Sequence, residues 1–294
     1  MSDIGVLVVT NKYEITRNFV LNYLKYFFLE DNYLLILDND SSDKTCERIK
    51  EEFPLIDIRR LNGNYGTVTG RNVGIVEIIK LGCKYIYISD NDVLFNDSEY
   101  FNKLRNFMEC NPALNGCCPV VRWFENGEIQ TLGSRMLSKY KIKSINVIDD
   151  NHSINTLPGC AAFIKAETFE KYGIYDNDLS PISIEDFEWG IRMTKQGLKF
   201  NYFDNAEIFH LHKKSDSGSK EKIRHVIRGR TVFLRKYFNS VNLLKEMKKI
   251  FSYILKFGLF FTVKNYYSGF RIKLTENNYE FSSFKKIYKK YYSI

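Results

Sequence analysis

The stretch Tyr85-Ile-Tyr-Ile-Ser-Asp-Asn-Asp-Val93 decides how the chain reads. Strand-forming residues, alternating aromatic and β-branched, run straight into two carboxylates separated by one residue. That is the profile of a buried strand ending at a charged rim. Burying an isolated carboxylate is prohibitively costly, so Asp90 and Asp92 project from the strand's carboxyl end. In an open α/β sheet that end faces the crevice where ligands bind. Two hard oxygen ligands there suit Mg²⁺ or Mn²⁺, cations shared between a few carboxylates and substrate phosphates. Read alone, Asp90-Asn91-Asp92 is equally a polar turn that stops a strand, since Asp and Asn are common turn formers. The rest of the chain separates the two readings.

Upstream, Ile4–Thr10 is a short apolar run that reads as a first buried strand. Residues 14–30 carry Ile15, Phe19, Leu21, Leu24 and Phe28 at helical spacing. Leu34–Asp38 is a second strand ending in a carboxylate, and Ser41-Ser-Asp43 offers caps for a helix reaching about Glu52. Asp57–Leu61 follows as a third strand, then a glycine-marked turn opens a helix that continues to Lys80. Strand and helix alternating in this way predict parallel βαβ units: an α/β protein with a mostly parallel central sheet and flanking helices. Downstream the pattern predicts a helix over 98–110 and strands at 115–123 and 157–165. A helix from 166 to Tyr172 and another over 184–195, closed by Gly197, come next. Short strands at 199–203 and 206–212 close the domain, and 213–219 reads as a linker. Residues 124–156 lack clean periodicity, as lids and binding segments often do.

Composition narrows the class. The 294 residues are 44% hydrophobic, enough for a substantial core. No secretory signal pattern is visible at the N-terminus, and the longest apolar run, Phe257–Val263, is too short to cross a bilayer. The six cysteines form no CxxC pair and read as reduced thiols of a cytoplasmic protein. Charge is uneven. Residues 219–294 hold 18 Lys and Arg against 4 Glu, so that the net charge of +8 is a basic tail behind an acidic body.

Four groups of residues can carry chemistry. Asp38, Asp90 and Asp92 end parallel strands and converge on one crevice. Gly66, Gly70 and Gly74 recur every four residues and line one helix face, where close helix–sheet packing explains them; the spacing is neither a dinucleotide fingerprint nor a P-loop. Beside them Arg71 and Asn72 suit a phosphate or a base edge. Glu185 and Asp186 open a helix, where acidic residues favour the macrodipole, or one of them serves as general base at a sugar hydroxyl. His210 and His212 share a strand face and suit a metal.

Taken in order, Asp38-Asn-Asp-Ser41, Asn64-x-Gly66, Arg71-Asn72-x-Gly74, Asp90-x-Asp92, Glu185-Asp186 and His210 make the chain resemble inverting family 2 glycosyltransferases of the GT-A fold, over residues 3–215. The resemblance implies a metal-dependent hexosyl transfer from a nucleoside-diphosphate sugar, of the rhamnosyl, galactosyl or glucosyl kind. The acceptor would be a glycan or lipid-linked hydroxyl in cell-surface polysaccharide synthesis. It assigns Asp38 to the base, Asn64 and Arg71 to the nucleotide, and Thr10 and Asn11 to the first nucleotide loop. Asp90 would serve ribose, metal or both. Asp92 and His210 would hold Mn²⁺ or Mg²⁺, with His212 as the alternative histidine, and Asp186 would be the base. Where the family commonly has Pro-x-Tyr-Asn after the first strand, this chain has Thr10-Asn-Lys-Tyr13, and Asp40 stands where Gly is common.

The expected organisation is a catalytic domain over 1–215, its halves 1–95 for the nucleotide and 96–215 for the acceptor, and a basic helical extension over 216–294. Trp123, Phe124 and Trp189 are the expected acceptor-side walls. The tail would either pack on the catalytic domain or dock on an anionic membrane at the inner face, with Phe257–Val263 and the Tyr/Lys-rich 285–292 supplying contacts. No nucleic-acid module is visible, so no nucleic-acid partner is expected. Two other readings share the scaffold: a sugar nucleotidyltransferase, and a non-catalytic glycan- or membrane-binding protein.

Overall fold

The computed structural model describes residues 2–138, 141–181, 184–211, 220–237, 243–275 and 278–292. The first part alternates as read: β1 (Ile4–Thr10), α1 (Tyr13–Tyr26), β2 (Asn32–Asp38), α2 (Thr45–Glu52), β3 (Asp57–Arg60), α3 (Gly66–Lys80) and β4 (Tyr85–Ser89). β1 pairs in parallel with both β2 and β4, and β2 with β3. The strands are apolar on both faces because helices cover both. Val6, Val8, Leu34, Ile36 and Tyr87 pack with Phe19 and Tyr23 of α1, whereas Leu7, Leu35, Leu37, Ile86 and Ile88 pack with Val68 and Val73 of α3. α3 lies hard against β1. A Cβ on Gly74 would stand 2.1 Å from Leu7 Cδ1, so close packing accounts for that glycine. Gly66 is constrained twice: its φ is +80°, and a Cβ there would meet Pro181 Cα at 2.1 Å.

The second part supplies β5 (Val93–Leu94), α4 (Tyr100–Cys110), β6 (Gly116–Trp123), β7 (Ile129–Thr131), β8 (Ser134–Ser138), β9 (Lys141–Ser144) and β10 (Ser153–Ile154). β11 (Ala161–Lys165), α5 (Ala166–Tyr172), α6 (Glu185–Lys195) and β12 (Phe200–His210) complete it. The main sheet runs β10-β12-β6-β11-β4-β1-β2-β3, with β5 on β12 and β7 on β6. β6 and β12 are parallel, but β11 is antiparallel to both of its neighbours. Its start sets its direction: the chain enters β11 at the carboxyl edge, Ala161 opposite Ser89, and has to run down the sheet. The two closing strands expected at 199–203 and 206–212 are one strand, because a register shift between Phe203 and Glu207 carries the exposed Asp204 and Asn205 through without ending the ladder. The aperiodic 124–156 segment resolves into short strands, β8 and β9 forming a hairpin of their own.

The tail is helical: α7 (Lys220–Tyr237), α8 (Leu243–Phe257), α9 (Leu259–Phe270) and α10 (Phe281–Ile287), followed by a 3-10 turn over Tyr288–Tyr291. The expected linker at 213–219 lies outside the described residues. α7 is fastened to the body where Lys236 Nζ meets Asp176 Oδ2 at 2.8 Å and Asp178 Oδ2 at 2.9 Å. The chain end corrects an expectation. Within 285–292, Tyr288 and Tyr291 are buried together with Phe281 and Phe284, so these rings are not free to meet a membrane, and Asn62 Nδ2 donates to the carbonyls of Lys290 and Tyr292 at 2.9 and 3.0 Å. Aromatics three and four residues apart form one face that covers the α3 side of the sheet, which leaves the intervening lysines outside.

Candidate active site

β1 sits between β2 and β4, which the chain reaches in opposite directions, so a crevice opens between the carboxyl ends of β1 and β4. Thr10 stands at one lip and Asp90-Asn91-Asp92 at the other. Asn91 Nδ2 donates to Thr10 Oγ1 at 2.8 Å across the gap. From there a cleft of ≈ 430 Å³ extends under the 130–156 segment; Arg71, Asp90, Cys160, Glu185, Asp186 and His210 line it. Residues separated by more than a hundred positions thus share one wall.

Arg71 organises that wall. Its side chain is buried; Nη1 donates to Glu185 Oε1 at 2.9 Å, and Nη2 donates to Asp90 Oδ1 and the Gly159 carbonyl, both at 2.8 Å. Burial disfavours the guanidinium charge, but Asp90 and Glu185 outweigh it and raise the Arg71 pKa. Asp90 is pushed up from the ordinary carboxylate range by burial, against Arg71 and with Asp92. Arg71 thus sits between two carboxylates on the cleft wall.

Asp186 follows Ile184, a β-branched residue held at φ 52° as the N-cap of α6. Such a backbone costs of order 1–3 kcal/mol and persists where surrounding structure over-determines it. Asp186 Oδ1 accepts the Phe187 N–H at 2.8 Å. Burial first, and Glu185 second, push its pKa up to about 7. Glu185 is committed to Arg71, so of the two acids Asp186 is the one poised to exchange a proton near neutrality.

His210 ends β12 and brings Nε2 to 3.1 Å from Asp92 Oδ1, while Nδ1 lies 2.9 Å from Gln130 Oε1. With Gln130 accepting from Nδ1–H, Nε2 is the atom turned to Asp92, and a proton or a cation belongs between the two facing acceptors. Neighbouring ligands at right angles on an ion with bonds of about 2.1 Å stand about 3 Å apart. The donor set fits a divalent cation. Asp90, Cys160 and His210 also present ligand atoms within 4.8 Å of one another.

Other expected residues lie elsewhere. Asp38 is buried and accepts from Ser41 N at 3.0 Å, Ser41 Oγ and Cys46 N at 3.2 Å, bracing the β2–α2 turn at the same sheet edge but outside the cleft. Asn64 Oδ1 accepts from Asn39 Nδ2 at 3.1 Å and Gly66 N at 3.2 Å, holding the loop before α3. Asn11 is exposed beyond β1. Trp189 is not an acceptor wall: one α-helical turn beyond Asp186 it faces the core, and its Nε1 donates to the Gly173 carbonyl at 2.9 Å. Trp123 is half-buried opposite His210, and Phe124 is exposed beyond it. His212 lies outside the described residues. Gln130, Cys160, and His225 and Val226 of α7 line the cleft without having been singled out. Cys160 reads in sequence like any core thiol, and Gln130 sits in the stretch that has no period.

Residues 6–173 match the Glycosyl transferase family 2 model, more than half of the chain. The chain belongs to glycosyl transferase family 2. The match ends before α6 and β12, which carry Asp186 and His210. The fold is similar to that of a crystal structure of GalNAc-T7 with UDP, GalNAc and Mn²⁺, at TM-score 0.58 and 15% identity over 90% of this chain and 57% of that one. At that identity the likeness is one of fold, a mixed α/β GT-A architecture, and the chain spans just over half the length of the other. No curated protein matches the chain.

Proposed function

We propose that the protein transfers a hexose from a nucleoside-diphosphate sugar to a hydroxyl of a glycan or lipid-linked acceptor, with inversion, in the synthesis of a surface polysaccharide. The observation that carries this reading is the placing of Asp186 on the same cleft wall as Asp90 and His210, where burial and Glu185 push its pKa up to about 7. Asp186 Oδ takes the proton of the acceptor hydroxyl while that oxygen attacks the anomeric carbon and the C1–O bond to the diphosphate breaks. Arg71 fixes Asp90 and Glu185 relative to each other, so the donor meets a preorganised wall. Thr10, Asn11, Asp38 and Asn64 edge the β1–β2 side, where the nucleotide would lie. Asp90, Asp92 and His210 would hold Mn²⁺ or Mg²⁺, and the chemistry supplied there is neutralisation of charge on the departing nucleoside diphosphate. The test is a panel of nucleotide sugars with Mn²⁺, scored by released nucleotide and by the anomeric configuration of the product. Release without transfer to any glycan or lipid-linked acceptor, or retention at C1, rejects the reading.

Two expectations follow for the cation. Gln130 orients His210, so Gln130→Ala weakens Mn²⁺ binding about 10–100-fold, as outer-sphere substitutions generally do; titration followed by Mn²⁺ electron resonance measures it. Cys160 brings a sulfur, which favours softer ions than oxygen does. Co²⁺-loaded protein is expected to show a thiolate-to-metal absorption band that Cys160→Ser removes, the thiol proton being released to solvent on binding.

A further inference from the structure

The tail contains a helix turned inside out. On α9 the inward residues are Thr262, Asn265 and Gly269, whereas Leu259, Phe260, Val263, Tyr267 and Phe270 are exposed. Phe260 is 81% exposed, and on α8 Phe251 and Leu255 stand at 61% and 73%. A helix in water buries its large apolar side chains and shows its small polar ones. The inward contacts are nonetheless well made. A Cβ on Gly269 would meet Thr231 Cβ of α7 at 2.7 Å, and Arg235 Nη1 donates to the carbonyls of Gly269 and Ile272 at 2.8 and 3.0 Å. Thr262 and Asn265 return their hydrogen bonds to carbonyls one turn back, at 2.9 and 2.7 Å. The outward stripe is therefore fixed by the packing of α9 on α7.

Charge indicates what covers it. Exposed Lys248, Lys256, Lys264, Arg271 and Lys273 border the stripe, and no Asp or Glu occurs between Glu246 and Glu276. Among the described residues no helix is long and apolar enough to cross a membrane. An apolar stripe edged only by cations matches the interface of an anionic bilayer, with rings in the acyl boundary and ammonium groups among the phosphates.

We propose that α8 and α9 dock on an anionic lipid surface and that the acceptor is delivered from that surface. α7 connects the two places: its Thr231 and Arg235 carry α9, and its His225 and Val226 line the cleft that holds Asp186. A bilayer-borne acceptor would enter beside α7. Delivery of this kind rests on the transferase reading above; docking does not.

The full chain is sedimented, without donor, with phosphatidylcholine vesicles lacking or containing phosphatidylglycerol. Binding to the anionic vesicles, weakened by salt, is expected. Leu255→Asp with Phe260→Asp is expected to lower the partition coefficient by more than about tenfold, and Lys256→Gln and Lys264→Gln by about fivefold each. Unchanged melting and unchanged turnover of a short water-soluble acceptor show that these variants fold. Binding indifferent to all four substitutions overturns docking. So does a dimer in light scattering that the apolar variants dissociate, because a second copy then covers the face. Vesicle binding with no transfer to any acceptor sinks the transferase reading and leaves docking standing.

Discussion

Replacing Asp186 by Asn is expected to lower kcat by about 10²–10⁴-fold while leaving donor binding in place, the usual contribution of a positioned general base. The amide keeps the shape and the Phe187 contact but cannot accept the acceptor's proton. Nucleotide release measured at saturating donor and acceptor gives the loss, and a donor-induced thermal shift shows that the site is intact. The raised pKa adds a second signature. In the free enzyme the base must be ionised, so kcat/KM of the native protein rises with pH through about 7 and then levels. A bound cation and donor lower that pKa, so the limb in kcat falls at lower pH. Stability runs the other way. An acid whose folded pKa exceeds its ordinary value of 3.8 binds more protons folded than unfolded between about pH 4 and 7, so its ionisation costs stability as pH rises through that window. Asp186→Asn escapes the cost. The variant should melt with the native protein near pH 4 and progressively above it towards pH 8. Equal turnover, or a melting difference that does not depend on pH, removes Asp186 from the role of base.

The N-terminal half of the fold was legible because its period is plain. Ile4–Thr10, Leu34–Asp38 and Tyr85–Ser89 are short apolar runs ending at polar residues, too short for helices and alternating with helical segments, which is the pattern of buried parallel strands. The glycines every four residues located the face of α3 that meets β1, where Gly74 leaves no room for a methyl group. The direction of β11 was not legible, because Ala161–Lys165 is equally apolar run up or down the sheet, and only the entry point at the cleft sets it. The site divides similarly. Acidic pairs at strand and helix ends announce themselves, since a carboxylate must have a reason to be near a core. Their partners do not: Gln130 gains meaning only from His210 eighty positions away. Arg71 suits a phosphate by type, but three of its hydrogen bonds go to Asp90, Glu185 and Gly159, contacts of long sequence separation that no local pattern encodes. The tail misled at its end for a related reason. Lysines among tyrosines look like an interface until the 3–4 spacing of Phe281, Phe284, Tyr288 and Tyr291 is laid against the sheet.

Arg71→Met is expected to destabilise the fold by about 3–5 kcal/mol, the range for breaking a buried ion pair by removing one partner. The cost comes chiefly from Glu185, whose side chain is 5% exposed and loses its ion pair with Arg71 Nη1. Asp90, at 37%, can recover part of its hydration and contributes less. Unfolding in urea therefore separates the two arms: adding Glu185→Gln to Arg71→Met should restore most of the lost stability, whereas adding Asp90→Asn should restore little. Arg71→Lys does not rescue the wall, because a single Nζ cannot reproduce a planar fork that serves two carboxylates and a carbonyl from two nitrogens. Turnover should follow a different order from stability. The stable Arg71→Met, Glu185→Gln pair still leaves Asp90 without the contact that aims it, so its Mn²⁺ affinity and kcat stay low although it melts almost like the native protein. If turnover instead returns together with stability in the double variant, Arg71 holds the fold and plays no part in positioning the carboxylates.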